Sequence, residues 1–189
     1  IGLLGAAGGL GLASSMASCD DYRPTTDMDG KLLVAVNLDK DVVASASNKQ
    51  ASPASRAEAQ SVSASDLSLK LTSESGSFAR EWASAAEFSD PVTVPVGKYT
   101  LEAWYGSLET EGFESPYYYG SSTLTVEENR TTPVSVTASL ANSMVRVEMS
   151  DMFRDYFASY SLTLRSELGN EIAYPDGETR SVYLAPGQV

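Results

Sequence analysis

A period of two runs through much of this chain. From Lys98 to Tyr105, the residues Tyr99, Leu101, Ala103 and Tyr105 alternate with Thr100, Glu102 and Trp104. Successive side chains of an extended strand point to opposite faces, so the first set faces a core and the second faces solvent. In a helix the same residues would be scattered around the circumference. The alternation recurs over residues 31–38 (Leu32, Val34, Val36, Leu38), 66–72, 92–96, 122–127 and 133–140. Pro95 cannot donate to a ladder, which places its strand at a sheet edge. Short alternating strands at this spacing indicate an all-β chain folded as a sandwich or Greek-key barrel.

One segment breaks the period. Ser150 is placed to cap a helix over 151–158, with Asp151 favourably set against its dipole. Met152 with Tyr156 and Phe153 with Phe157 are i,i+4 pairs that give it an apolar side. Strands resume at 160–165 and, after the Pro175-Asp176-Gly177 turn, at 181–184. Another strand, 144–149, precedes the helix. The six strands before Asn142 suffice for one β-sandwich domain over 31–141. Residues 142–189 then read as the start of a second β-sandwich domain, incomplete and with at least one strand edge unpaired. Within the first domain, 14 of residues 44–65 are Ala or Ser, with Pro53 among them, which predicts a flexible loop.

The N-terminal segment has a different character. Residues 1–18 carry no charge and include five glycines, too short and too glycine-rich for a membrane-spanning helix. They read as the h-region and cleavage site of a secretory signal peptide. Met16-Ala17-Ser18-Cys19 resembles a bacterial lipobox, in which small residues flank the scissile bond and a free thiol accepts diacylglycerol. Residues 19–30 then form a lipidated tether, and two or three acyl chains on Cys19 would hold the protein stably in a membrane. Asp20-Asp21 resembles an export signal of Bacteroidota surface lipoproteins. Ile1 in place of Met, and the ending at Gln188-Val189, read as a segment of a longer protein.

Composition excludes several function classes. Thirteen Lys and Arg against 25 Asp and Glu give a net charge of −12, which repels a phosphate backbone and argues against nucleic-acid partners. There is no histidine and a single cysteine, which removes Ser-His-Asp and Cys-His catalysis and His-bearing zinc sites. No lysine follows a serine by three positions, and neither Gly-x-Ser-x-Gly nor a phosphate-binding Gly-x-x-x-x-Gly-Lys occurs. Asp27-Met28-Asp29-Gly30 starts like a calcium loop but lacks the later ligands, so it reads as tether. Glu109, Glu111 and Glu114 read as a solvated acidic loop. The expectation is a protein without catalytic residues, metal or cofactor.

Three further stretches carry a resemblance. These are Pro95-Val96-Gly97-Lys98-Tyr99-Thr100-Leu101-Glu102-Ala103-Trp104-Tyr105-Gly106, Gly112-Phe113-Glu114-Ser115-Pro116-Tyr117-Tyr118-Tyr119-Gly120, and Leu140-Ala141-Asn142-Ser143-Met144-Val145 followed by 153–164. Together they resemble a Bacteroidota surface lipoprotein family similar to fimbrillin-type adhesins and fimbrial anchor proteins. The resemblance covers roughly residues 31–186 and implies tandem transthyretin-like β-sandwich domains behind a lipidated cysteine. It also implies an outer-membrane, cell-surface location, an adhesive or structural role, and fimbrial subunits or host ligands as partners. No catalytic residues carry over from it.

The aromatic group Trp104, Tyr105, Tyr117, Tyr118 and Tyr119 supports an alternative. Pyranose faces stack on aromatic rings, and carboxylates such as Glu102 or Glu114 accept hydroxyl protons, which is how a glycan platform works. In that reading the protein acts beside a carbohydrate-uptake system. Equally, the rings can form a minor core beneath the 107–119 loop. Exposed, coplanar rings near residues 104–119 would favour the glycan reading, and a partner surface along strand edges the fimbrial one.

Overall fold

The structure, a computed structural model, describes residues 28–40, 62–88 and 91–186. In chain order the strands are β1 (Asp29–Asp39), β2 (Ser68–Ser73), β3 (Ala79–Trp82), β4 (Val92–Pro95), β5 (Gly97–Tyr105), β6 (Gly112–Phe113), β7 (Tyr118–Val126), β8 (Thr131–Leu140), β9 (Ser143–Val145), β10 (Leu162–Arg165), β11 (Glu171–Tyr174) and β12 (Val182–Leu184). Among the described residues one α-helix, α1 (Asp151–Tyr156), lies between β9 and β10. Seven of the strands form one sheet in the order β3-β2-β5-β7-β8-β1-β4.

That order forces the sheet to curl. β4 and β5 stand four places apart, about 19 Å on a flat sheet at ordinary strand spacing. Only Val96 joins Pro95 to Gly97, and two extended residues reach about 7 Å. The sheet must therefore bend until its β4 edge meets the start of β5. The Tyr99 hydroxyl pins this corner by donating to the Pro95 carbonyl at 2.7 Å. The result is an all-β, sandwich-like fold.

Alternation fills the enclosed space. Leu32 from β1, Leu69 and Leu71 from β2, Leu101 from β5, Val126 from β7 and Val136 from β8 are essentially removed from solvent. Each such side chain contributes about 1.5–3 kcal/mol by burial. Tyr99, Leu101 and Ala103 point inward as the pattern requires. β4 is an edge strand, as Pro95 demands. β1 pairs antiparallel with β4 only at its start, and runs parallel to β8 from Lys31 opposite Thr131 to Asp39 opposite Ser139. On β7, a Cβ at Gly120 would stand 2.1 Å from the Thr137 carbonyl oxygen, so only glycine lets β7 lie against β8 there.

Several expectations need correction. The Ala/Ser-rich stretch does not stay loose to residue 65. Val62 is buried with Leu67, Tyr118 and Ala138 in a second cluster, and Ser63 and Asp66 close a capping box around the 3-10 turn Ala64–Asp66. Its earlier residues, 44–61, lie outside the described residues. Asp29 and Gly30 belong to β1 rather than to a tether. β3, β6 and β11 are strands where the pattern showed none, because each is short and buries at most one side chain. β7 begins at Tyr118, inside the stretch read as loop.

The C-terminal part is built differently. β10 pairs with β11, and β12 lies between β6 and β9. Ser150 caps α1 by accepting from the Phe153 N–H at 3.2 Å. Phe153 packs on Phe157 and Tyr160, while Met152 and Tyr156 stay exposed. The apolar side of the helix is thus not buried in a core.

Candidate functional site

The outer face of the seven-stranded sheet carries polar and aromatic side chains in a register set by pairing. Lys70 on β2 stands opposite Glu81 on β3 and Glu102 on β5. One step further along, Trp104 on β5 stands opposite Tyr119 on β7. The two rows are about 7 Å apart along the strands.

Side chains join the rows. The Tyr119 hydroxyl donates to Glu102 Oε1 at 2.6 Å, and this bond, with burial, raises the tyrosine above its usual pKa. Tyr117 and Tyr119 share one face of the chain, with ring centroids 6.2 Å apart and planes within 24° of parallel. Lys70 Nζ donates to Glu81 at 2.9 Å, and that bond raises the lysine above its usual value and keeps it charged. With Ser107, Leu108 and Glu109 from the following loop, these residues line a wide, shallow groove.

Backbone contacts hold the loop in place. Gly106 has φ 79°, and a Cβ there would lie 2.3 Å from the Pro116 carbonyl oxygen, so the loop's two ends close tightly only with glycine. Tyr117 is clamped at its main chain. Its N–H donates to Asn142 Oδ1 at 3.1 Å and its carbonyl accepts from the Ala141 N–H at 2.8 Å. Asn142 is buried and donates in turn to the Ser115 carbonyl at 3.0 Å.

The aromatic group therefore splits. Trp104, Tyr117 and Tyr119 come together in the groove, with Tyr119 at 36% exposure. Tyr118 does not belong to a surface platform: it is 0% exposed and packs with Val62, Leu67 and Ala138 on the inner face. Tyr105 packs, half-buried, against the same inner cluster. The split follows from the period of two. Counted back from Val126 and Leu124, even positions face inward, which puts Tyr118 in and Tyr119 out. Lys70 and Glu81 were missed because cross-strand register is a long-range property and β3 carries little alternation.

Glu111 is not simply solvated either. Its carboxylate accepts from the Ala185 N–H at 2.7 Å and from Asn170 Nδ2 at 2.8 Å. Burial pushes its pKa up, but hydrogen bonds from Ser166, Ala185 and Asn170 outweigh this and hold it below the usual value. Beside it, Phe113 packs on Tyr174 and lies under the Arg180 guanidinium. Glu114 lies outside the groove and within 3.8 Å of Arg180. Cys19 lies outside the described residues.

The groove thus sets aromatic rings and carboxylates side by side on the outer face of a curled β-sheet, with a rim held by backbone bonds. The chain belongs to the family described as Domain of unknown function (DUF4493), whose model matches residues 30–189. No curated protein and no solved structure matches it.

Proposed function

We propose that this is a non-catalytic, lipid-anchored cell-surface protein with an adhesive role, whose ligand is a glycan held in the Trp104–Tyr117–Tyr119 groove. One observation carries the glycan assignment: two near-parallel tyrosine rings and a tryptophan share an open outer face with Glu102. Stacking on such rings and hydroxyl donation to a carboxylate are the two interactions that sugars use most. The absence of histidine in the whole sequence supports a binding rather than a catalytic role. Anchoring, and with it the outer-membrane location, rests on Met16-Ala17-Ser18-Cys19 and is tested by finding acylated Cys19 at the start of the mature protein.

The glycan assignment is tested on a glycan array followed by calorimetry. Wild-type protein should bind a defined subset of glycans, and Trp104→Ala should lose at least tenfold in affinity while keeping its fold. Equal binding by a folded Trp104→Ala protein removes the groove from the site.

A second reading, fimbrial assembly by strand pairing, draws on β10 and β11. Among the described residues these two strands pair only with each other, and open edges are templates for a strand from another chain. Amide exchange in 162–174 that slows only when a fimbrial subunit is added would support this reading.

A further inference from the structure

The groove's charge says more about its ligand than its rings do. Three carboxylates line it, Glu81, Glu102 and Glu109, against one cation, Lys70. Glu81 engages that cation directly at 2.9 Å, so Glu102 and Glu109 remain as net negative charge beside the rings. One oxygen of Glu102 accepts from Tyr119. A carboxylate offers about four lone-pair positions, which leaves several for a ligand's donors.

We infer that the groove selects pyranose glycans without acidic groups, neutral or amino-bearing, and rejects uronic, sialylated and sulfated ones. This rests on the glycan reading above and adds the ligand's charge class to it. A sugar stacked on Trp104 or Tyr119 sets its ring hydroxyls toward the carboxylate row about 7 Å along the strands. Hydroxyl and ammonium groups donate to Glu102 there, whereas a sugar carboxylate or sulfate can only accept and meets a second acceptor. Across water, each uncompensated carboxylate about 6 Å from an incoming anion weakens its binding about threefold. Two of them give roughly tenfold discrimination at low salt, shrinking as ionic strength rises.

The test uses an array printed with neutral, amino-bearing and acidic glycans, then calorimetry of the best neutral hit and its uronic-acid counterpart. The neutral sugar should bind about tenfold more tightly, with the gap narrowing in high salt. Glu102→Gln keeps the shape and an acceptor for Tyr119 but removes one charge, and it should recover about threefold in binding of the acidic sugar. Acidic glycans bound as well as neutral ones by wild type overturn the charge selection while leaving the glycan reading intact. Discrimination unchanged in Glu102→Gln overturns the part assigned to that carboxylate. If wild type binds no printed glycan, or if Trp104→Ala binds as wild type does, the glycan reading falls and the inference with it.

Discussion

The seven-stranded sheet and the segment after Asn142 reach order by different means. Fifteen of the buried apolar residues among the described ones lie before Asn142, and three, Tyr174, Val182 and Tyr183, lie after it. The first region encloses its own core. The second stands by docking: β12 pairs with β6, Glu111 receives Ala185 and Asn170, and Asn142 ties to residues 115 and 117. Arg180 adds an ion pair to Glu114 at 3.8 Å, while polar contacts such as Arg180 with Glu178 and Tyr160 with Asp176 lie within the segment itself. Burial thus secures one region, and the loop between β5 and β7 carries that order to the other.

The sharpest way to break this contrast is a pair of cavities. Leu101→Ala, at a fully buried position, should cost about 3 kcal/mol and unfold both regions together in denaturant titrations. Val182→Ala should instead quicken amide exchange in 143–145 and 162–184 and leave β2, β5 and β7 unchanged. Faster exchange in the sheet after Val182→Ala would mean one cooperative unit and would abolish the distinction.

A smaller effect is expected at the docking carboxylate. Glu111→Gln turns one of two accepting oxygens into a donor facing a donor, and should loosen the C-terminal segment by about 1 kcal/mol. The wild-type segment should also be acid-sensitive. Glu111 is held below its usual pKa, so its contribution is complete above the unfolded value near 4.5 and is lost as pH falls through the folded value. Glu178, held down to about 2 by Arg180, adds a later loss between 4.5 and about 2. Exchange in 166–185 should therefore rise below pH 4.5 ahead of exchange in the sheet, and Glu111→Gln should blunt the first part of that rise.

The smallest effect is the most diagnostic of local packing. The Tyr118 hydroxyl is buried with no hydrogen-bond partner among the described residues, and burial raises its pKa. Removing an unsatisfied buried group costs nothing in bonds, so Tyr118→Phe should leave stability within about 0.5 kcal/mol of wild type or raise it. A loss above 1 kcal/mol would reveal a partner for that hydroxyl.

How much of this could be read in the chain depended on which face was buried. β1, β5 and β8 each set one face against a core, so alternation survives in Leu32 to Leu38, Tyr99 to Ala103 and Val134 to Ala138. β6 has two residues, too few for any period. β3 buries only Trp82. Trp104 was legible as an outward aromatic, because its neighbours Ala103 and Leu101 define the inner face. The three successive tyrosines carry no alternation of their own, and their division shows only when the period is run back from Val126 and Leu124. What placed Lys70 beside Glu81 and Glu102 was pairing between strands distant in sequence, which composition and period leave open.

The parallel ladder between β1 and β8 has a consequence for how the molecule forms. Lys31 meets Thr131, one hundred positions later, whereas β5 meets β7 across a short connection. Closing so long a loop is entropically costly, and topologies rich in such pairings fold slowly. During synthesis β1 emerges first among the sheet strands, yet its partner on one side does not exist until residue 139 has been made. The antiparallel strands β2, β5, β7 and β8 can assemble early, leaving a slot between β8 and β4 that β1 enters last. Until then Leu32 and Val34 stay uncovered, so the earliest-made strand is the one most in need of protection from aggregation.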